Sequence, residues 1–258
     1  MNTLSDTPNI DKCASAEDKD LVIPETYDWR QQYPECVRPV YTTDFDCLGA
    51  TYAMVGLSAT EDRICQHSKE HAKLSLDEFL DCDTQAKGCK GGDVTKVLNY
   101  GKRKGFVTKD CYPERLGTCP EEHFTENACR EDKNIYRIID HCLADGVEGV
   151  KKEILKNGPV IAMIAPNTDF LTFGSGVYQR SQDSFQLKGY HIVKVVGWTN
   201  IKESDVWIIE NTWGSDWGED GFGKIIVGDS LIDSFALGFA VIPIPIKEWE
   251  ELRRAQDA

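Results

Sequence analysis

Residues 188–225 read KGYHIVKVVGWTNIKESDVWIIENTWGSDWGEDGFGKI. Short runs of β-branched and aromatic residues alternate there with Gly, Asn and Asp, a pattern typical of short strands joined by tight turns. Runs of the same kind precede and follow this stretch, at PVIAMIA (159–165) and FALGFAVIPI (235–244). The second half of the chain is therefore predicted to form an antiparallel sheet or barrel.

The first half of the chain favours helices. Apolar side chains recur at roughly helical spacing over residues 50–64, which predicts a buried helix. Ser75 and Glu78 have the spacing of a capping box, so a short helix is expected directly after Ser75. The turn GCKGG at 88–92 precedes another helical stretch that extends to about Lys104. In the second half, the run VEGVKKEILKN at 147–157 predicts one amphipathic helix before the strands, ended by Gly158-Pro159. A helical half followed by a β half predicts the α+β class.

The composition is that of an ordinary globular protein with an excess of acidic residues. The chain has 258 residues, 41% of them hydrophobic, and a formal net charge of −14. This charge disfavours nucleic acids and anionic membrane surfaces as partners, because both would repel the protein. No stretch approaches the roughly 18 to 20 apolar residues that a membrane span needs. No Cys or His spacing predicts a metal site, and we expect no cofactor.

Two features of the sequence indicate different compartments for this protein. The first 20 residues have neither the basic segment nor the apolar segment of a secretory signal. Ten cysteines nevertheless favour a disulfide framework, and hence an oxidising compartment. We expect a lysosomal or secretory location or the mitochondrial intermembrane space, with a cytoplasmic or cytoskeletal location as the alternative.

Six segments, taken in order, resemble the papain family of cysteine proteases. They are IPETYDWR (23–30), LSLDEFLDC (74–82) with the GCKGG turn, NGPVIAMI (157–164), DFLTFGSGVY (169–178), KGYHIVKVVGW (188–198) and VWIIENTWGSDWGEDGFGKI (206–225). YPEC ending at Cys36 and EDRIC ending at Cys65 resemble the cathepsin B branch. The resemblance spans about residues 21–245. It implies a helical left lobe and an antiparallel β-barrel right lobe with a cleft between them.

The resemblance and the composition together divide the chain into parts. We expect a polar N-terminal tail, a papain-like domain and a C-terminal helical tail, over residues 1–20, 21–246 and 247–258. Within the domain we expect a helical lobe over about 36–130 and a β lobe over about 131–246. The entry segment 21–35 is expected to belong to the β lobe.

The resemblance implies that two of these segments carry a catalytic histidine and asparagine. His191 and Asn211 stand at the matching positions, and Trp213 matches the ring that shields the hydrogen bond between them. In such enzymes a cysteine thiolate attacks the peptide carbonyl while the histidine pairs with it. Gly91 and Gly92 resemble the site where the family docks a substrate strand, although a tight turn explains them equally well.

The nucleophile segment departs from the family pattern. The family has Gln-Gly-Ser-Cys-Gly-Ser-Cys-Trp-Ala-Phe, whereas this chain has TTDFDCLGATYAM at 42–54. Counting from either cysteine of the cathepsin B pair puts the nucleophile position at Thr51. Counting from Cys47 gives Ala50, and counting from the upstream Pro-Val pair gives Gly49. None of these positions holds a cysteine.

The oxyanion glutamine of the family is missing as well. Its position corresponds to Asp44, Thr43 or Phe45, depending on the register. A carboxylate at Asp44 would repel the negative charge that develops on the carbonyl oxygen. We therefore predict that the chain is a pseudoenzyme, with Cys47 as a displaced nucleophile in the alternative case.

The resemblance also implies disulfide bonds. It pairs Cys36 with Cys65 and Cys47 with Cys89, and it leaves Cys82 to pair with Cys119 or Cys129 and Cys111 with the remaining one. Cys13 and Cys142 have no partner in the family pattern.

Three functions remain open on the sequence alone. The first is an inactive protease homologue that serves as a structural or interaction subunit of a larger assembly. The second is an active endopeptidase using Cys47, and the third is a peptide-binding module using the vacant cleft. Protein partners are expected through residues 1–20 and 247–258. In the second of these segments Trp249, Leu252 and Arg253 form one small apolar stripe on a helix that we expect to order when docked.

Overall fold

Most helices lie in the first half of the chain and most strands in the second. The computed structural model describes residues 10–43, 45–119, 135–242, 244–245, 250–251 and 254. Its helices are α1 (Trp29–Gln32), α2 (Thr51–Ser68), α3 (Leu76–Cys82), α4 (Val94–Arg103) and α5 (Gly146–Asn157). Its strands are β1 (Tyr27–Asp28), β2 (Phe106–Val107), β3 (Ile135–Tyr136), β4 (Ile138–Leu143), β5 (Val160–Ile164), β6 (Val177–Tyr178), β7 (His191–Ile201), β8 (Ser204–Glu210), β9 (Phe222–Ile226) and β10 (Ala236–Val241). The predicted α+β class is confirmed.

The central helix α2 is buried on all sides over most of its length. Every residue from Thr51 to Cys65 is buried. The helix packs against α3 and α4 in one direction and against β7 in the other. It ends at Ser68, where Lys69 takes a left-handed conformation with φ of 65°. Because no face of this segment meets water, any charged side chain on it must find a partner inside the protein.

Local sequence signals set the ends of the neighbouring helices. Ser75 Oγ accepts a hydrogen bond from the backbone N–H of Glu78 at 3.1 Å, so Ser75 is the N-cap of α3. The return bond of the predicted capping box does not form, because the backbone N–H of Ser75 donates to Val107 O at 2.9 Å. The predicted amphipathic helix is α5, and it ends where Gly158 adopts a φ of 102°. A positive φ of this size is accessible to glycine at little strain.

The large sheet has eight strands and is mostly antiparallel. Seven of them run in the order β4-β10-β5-β7-β8-β9-β6, and β1 pairs with β7 beside this path. Only the short β6 runs parallel to its neighbour, β9. A separate ribbon joins β2 and β3. The pairing of β1 places the entry segment against the sheet, as expected from the resemblance.

Two apolar cores define two lobes. The helical lobe, formed by α2, α3 and α4, encloses aromatic side chains such as Phe79 and Phe106. The β lobe, formed by the large sheet with α5, encloses Trp198 and Trp207. Most apolar side chains of α2 belong to the first core, which also includes three side chains of the sheet, Ile161, Ile192 and Leu237. Contacts between α2 and the sheet therefore hold the lobes together.

Buried ion pairs link the lobes through α2. Arg63 of α2 is 0% exposed, and its Nη1 lies 2.9 Å from Glu153 Oε1 of α5. The same guanidinium donates to the carbonyl oxygens of Gly158, Pro159 and Phe239. These hydrogen bonds and the ion pair satisfy the buried guanidinium group, whose charge would otherwise destabilise the fold strongly.

The N-terminal segment differs from the polar tail predicted over residues 1–20. In its described part, Cys13 is 1% exposed and forms a disulfide with Cys142. The backbone of this segment pairs with Leu143, and Ser15 Oγ donates to Glu153 Oε2 at 2.5 Å. The polar composition concealed these anchors, because a single disulfide and a few hydrogen bonds can dock a segment that has almost no apolar periodicity.

The C-terminal segment can be compared with its prediction only in part. Residues 250–251 and 254 are helical, but Trp249, Leu252 and Arg253, on which the predicted apolar stripe depends, lie outside the described residues. Among the helices of the described chain, none combines the length and the apolar character that crossing a membrane requires.

Candidate active-site cleft

His191 and Asn211 lie side by side at one end of two neighbouring strands. Strand β7 begins at His191 and the antiparallel β8 ends at Glu210, directly before Asn211. His191 Nε2 and Asn211 Oδ1 are 2.8 Å apart. An amide oxygen only accepts hydrogen bonds, so Nε2 carries the proton and Nδ1 is the basic nitrogen of the neutral ring. The backbone N–H of Thr212 also donates to Asn211 Oδ1, which fixes the orientation of the amide.

Trp213 covers this pair. Its ring is stacked on the imidazole of His191 with a centroid distance of 4.6 Å and an interplanar angle of 29°. Burial lowers the pKa of His191 to about 4, and the hydrogen bond with Asn211 opposes this shift only in part. His191 is therefore neutral near pH 7. The imidazole has the orientation of a catalytic base but not the charge of an imidazolium that pairs with a thiolate.

Thr51 faces His191 from the other lobe. It is the first residue of α2, is 6% exposed, and lines a cavity of about 630 Å³. His191 and Trp213 line the same cavity from the β lobe. The cavity is thus the cleft expected between the lobes, and Thr51 stands at the helix N-terminus where the resemblance places a nucleophile.

The other two candidate positions do not face the cleft cavity. Ala50 is 0% exposed and does not line the cavity. Gly49 lies against the 88–92 turn, where an added Cβ would meet Cys89 O and Gly91 N at 2.4 Å. The structure therefore favours the register counted from the cathepsin B cysteine pair, which gives Thr51.

The oxyanion position is only partly visible. Asp44 lies outside the described residues, as does the side chain of Phe45. Thr43 lines the cleft cavity, but its backbone N–H and its hydroxyl both donate to the carbonyl oxygen of Thr212, at 2.9 and 2.5 Å. Neither donor of Thr43 is therefore directed at a bound carbonyl group.

Cys47 is held in a disulfide bond. The structure joins Cys47 to Cys89 and Cys36 to Cys65, the two pairings that the resemblance implies. Cys82 pairs with Cys119, one of the two partners left open; Cys111 is also disulfide-bonded, and Cys129 lies outside the described residues. The bond between Cys13 and Cys142 was not predicted, although these were the two cysteines that the family pattern left over.

Gly91 and Gly92 are explained by packing. Gly91 has a φ of 107°, and an added Cβ on Gly92 would come within 2.5 Å of the Tyr52 ring. The turn presses against the first turn of α2, so it needs glycine at both positions whether or not a peptide ever docks there.

The sequence reasoning missed the apolar walls of the cleft. Leu48 and Leu171 line the cavity from opposite lobes and are 61% and 48% exposed. Phe173 and Trp217 extend the wall on the β side. The segment DFLTFGSGVY carried part of this signal, because three large apolar residues there precede a glycine-rich turn.

One cluster of potential metal ligands occurs among the described residues. Ligand atoms of Cys13, Cys142 and Glu153 lie within 4.8 Å of one another. The two sulfur atoms are bonded to each other, and Glu153 is engaged by Arg63 and Ser15. The donors are thus committed to other bonds, so this cluster does not constitute a metal site.

Comparison with known proteins agrees with this geometry. The family model described as "Papain family cysteine protease" matches residues 23–236. The chain therefore belongs to the papain family of cysteine proteases.

The similar proteins place it near the cathepsin B branch. The chain is 31% identical over 247 residues to cathepsin B-like cysteine proteinase 2 of Haemonchus contortus, covering 83% of this chain and 71% of that protein. It is 30% identical over 250 residues to cathepsin B-like cysteine proteinase 6 of Caenorhabditis elegans, covering 83% of this chain and 65% of that protein. Among solved structures, procathepsin B S9 from Trypanosoma congolense superposes with a TM-score of 0.80 and 26% identity over 93% of this chain and 85% of that chain.

Proposed function

We propose that this protein is a protease homologue without proteolytic activity that serves as a structural or interaction subunit of a larger assembly. The observation that carries the proposal is the placement of Thr51. It faces His191 across the cleft from the first turn of α2. That is where the reaction requires a thiolate.

The chemistry of the two side chains supports this proposal. A threonine hydroxyl stays protonated at neutral pH, and it becomes a useful nucleophile only beside a suitably matched base. His191 has its pKa lowered to about 4, so it is a weak base. In a serine protease of another fold, removing a single oxyanion donor slows the reaction by roughly 10² to 10³, and removing the nucleophile slows it further.

The alternative of Cys47 as the nucleophile requires two changes. The Cys47–Cys89 bond would first have to be reduced. The sulfur would then have to reach the cleft from a position four residues before Thr51. Such a shift implies a displacement of several ångströms, and the geometry of nucleophilic attack tolerates far less.

The decisive experiment measures hydrolysis of a dipeptidyl fluorogenic substrate by the purified chain and by two variants. We expect no turnover from the unmodified chain, from Cys47→Ala or from Cys89→Ala. Both substitutions break the same disulfide, but only Cys47→Ala removes the sulfur in question. Turnover that is present in Cys89→Ala and absent in Cys47→Ala would show that Cys47 acts as the nucleophile and would overturn the proposal.

A peptide-binding role for the vacant cleft is the second candidate, favoured by the exposure of Leu48 and Leu171 on its two walls. Exposed apolar side chains that face one another across a groove are typical of a binding surface. The test is fluorescence anisotropy with a labelled Ala-Leu-Leu-Ala peptide. We expect Leu171→Asp to abolish binding. Leu231→Asp, at a leucine that is also 48% exposed but lies outside the cavity, should leave binding unchanged.

A further inference from the structure

A second cavity lies between the lobes, separate from the cleft. Its volume is about 530 Å³, within the range of roughly 300 to 1,000 Å³ of small-molecule sites. It shares no lining residue with the cleft cavity. Met54, Ser58, Glu61 and Asp62 of α2 form one wall, so a single helix borders both cavities.

The negative charges of this cavity are largely compensated. Lys194 of β7 contacts Asp62 at 2.5 Å and Glu210 at 2.9 Å, and it also donates to Ser58 Oγ at 2.6 Å. Burial raises the pKa of Glu61 to about 7, so this carboxyl carries only part of a negative charge near neutral pH. The backbone N–H of Leu74 donates to Glu61 Oε1 at 2.6 Å.

The positive charges are not fully compensated. Arg38 lines the cavity and donates through Nη1 to the carbonyl oxygen of Ala72 at 2.7 Å, with Glu61 Oε2 at the long distance of 3.5 Å. Its Nε and Nη2 are buried and have no hydrogen-bond partner among the described residues. Lys73 lies at the rim and takes part in no ion pair within the described part of the chain.

These two cations define the chemistry of a ligand. The Nε–Nη2 edge of a guanidinium matches the two oxygens of a carboxylate, and a buried donor pair without an acceptor is unfavourable. Both nitrogen atoms have almost no accessible surface, so binding requires the guanidinium to rotate towards the cavity. Val40, Met54 and Leu74 supply an apolar surface beside it.

We propose that the interlobe cavity binds a small organic carboxylate, with its carboxylate group on Arg38 and Lys73 and its apolar body against Val40, Met54 and Leu74. This site is independent of the cleft and of the proposed loss of proteolytic activity.

The test is ¹⁹F NMR titration of the full chain with 4-(trifluoromethyl)benzoate. We expect saturable binding that is absent for the uncharged 4-(trifluoromethyl)benzyl alcohol. Lys73→Gln should weaken binding by about tenfold because it removes a charge-assisted contact, and Arg38→Lys should weaken it by about as much because it replaces a bidentate contact with a single one. Arg38→Lys retains the positive charge but loses the planar fork.

Matched controls locate the site. Lys87→Gln removes an exposed lysine outside the cavity and should leave the dissociation constant unchanged, as should Leu171→Asp in the cleft. Lys73 is exposed and its side chain has no ion-pair partner among the residues that the structure describes, so its substitution should leave the fold intact. Thermal unfolding checks that Arg38→Lys also remains folded. The proposal would be overturned if the benzoate and the alcohol bound equally well or if neither bound. It would also be overturned if neither Lys73→Gln nor Arg38→Lys changed the dissociation constant.

Discussion

Replacing Thr51 by cysteine tests the cleft most directly, because it restores the sulfur that the family chemistry uses. The new thiol would stand at the first turn of α2 and line the cavity shared with His191. We expect it to be alkylated faster than a thiol at Ala50, which is 0% exposed and does not line the cavity. We do not expect it to behave as a preformed thiolate.

The magnitude follows from the environment of His191. Its pKa is about 4, whereas a free thiol ionises near pH 8.5, so proton transfer from thiol to imidazole costs about 6 kcal/mol. Attraction between the two charges at about 4 Å offsets about 4 kcal/mol at an effective dielectric constant of about 20. The ion pair of Thr51→Cys therefore lies about 2 kcal/mol above the neutral pair, which corresponds to a population of a few per cent.

The assay is the rate of alkylation between pH 5 and pH 9 for Thr51→Cys and Ala50→Cys, with the unmodified chain as background. We expect the Thr51→Cys rate to fall as the pH drops below about 8, because ionisation of the thiol controls it there, and then to level off at a few per cent of its maximum. The ion pair and the neutral pair carry the same number of protons, so the small ion-pair population does not change with pH in this range. A rate that stays high down to pH 5 would refute the argument that burial keeps His191 neutral. Equal rates for the two variants would refute the assignment of Thr51 to the nucleophile position.

The other predictions concern stability and assembly. Burial raises the pKa of Glu61 from 4.5 to about 7, so the folded state holds a proton that the unfolded state releases. The free energy of unfolding should therefore fall by up to about 3 kcal/mol as the pH rises from 4.5 through 7. The melting temperature of Glu61→Gln should depend less on pH across this range than that of the unmodified chain, and parallel profiles would contradict this. Replacing Cys13 and Cys142 by serine opens a loop of 129 residues and should lower the free energy of unfolding by roughly 2 to 5 kcal/mol, measured by urea denaturation; an unchanged midpoint would show that the noncovalent contacts suffice. Deleting residues 247–258, or replacing Trp249 by alanine, should reduce recovery of native partners in a pull-down while leaving the melting temperature almost unchanged, and equal recovery would mean that this segment carries no partner contact.

The overall fold was predictable because its signals are local and strong. The helix α2, the N-cap at Ser75 and the strand series around His191 follow from spacing and turn residues alone. Family resemblance added the pairing of distant cysteines, which spacing alone cannot assign, since many connectivities share the same count.

The features that sequence reasoning missed depend on contacts between distant residues. No pattern in the first 20 residues indicated that Cys13 reaches β4 or that Ser15 reaches Glu153. Leu48 and Leu171 form two walls of one cavity although they are far apart in the chain. Only the folded structure shows that both side chains are exposed and line the same cavity.

The docked N-terminal segment has a consequence for how this protein can join an assembly. Strand β4 is at one edge of the large sheet, and edge strands present unpaired backbone groups that invite another chain to add a strand. Here the end of that edge is occupied: Cys13 N–H donates to Leu143 O at 3.0 Å, and Leu143 N–H donates to Asp11 O at 2.8 Å. The disulfide to Cys142 keeps the segment from being displaced. A partner strand that would pair with Leu143 would first have to displace this segment, so extension of the sheet is disfavoured at this end of β4.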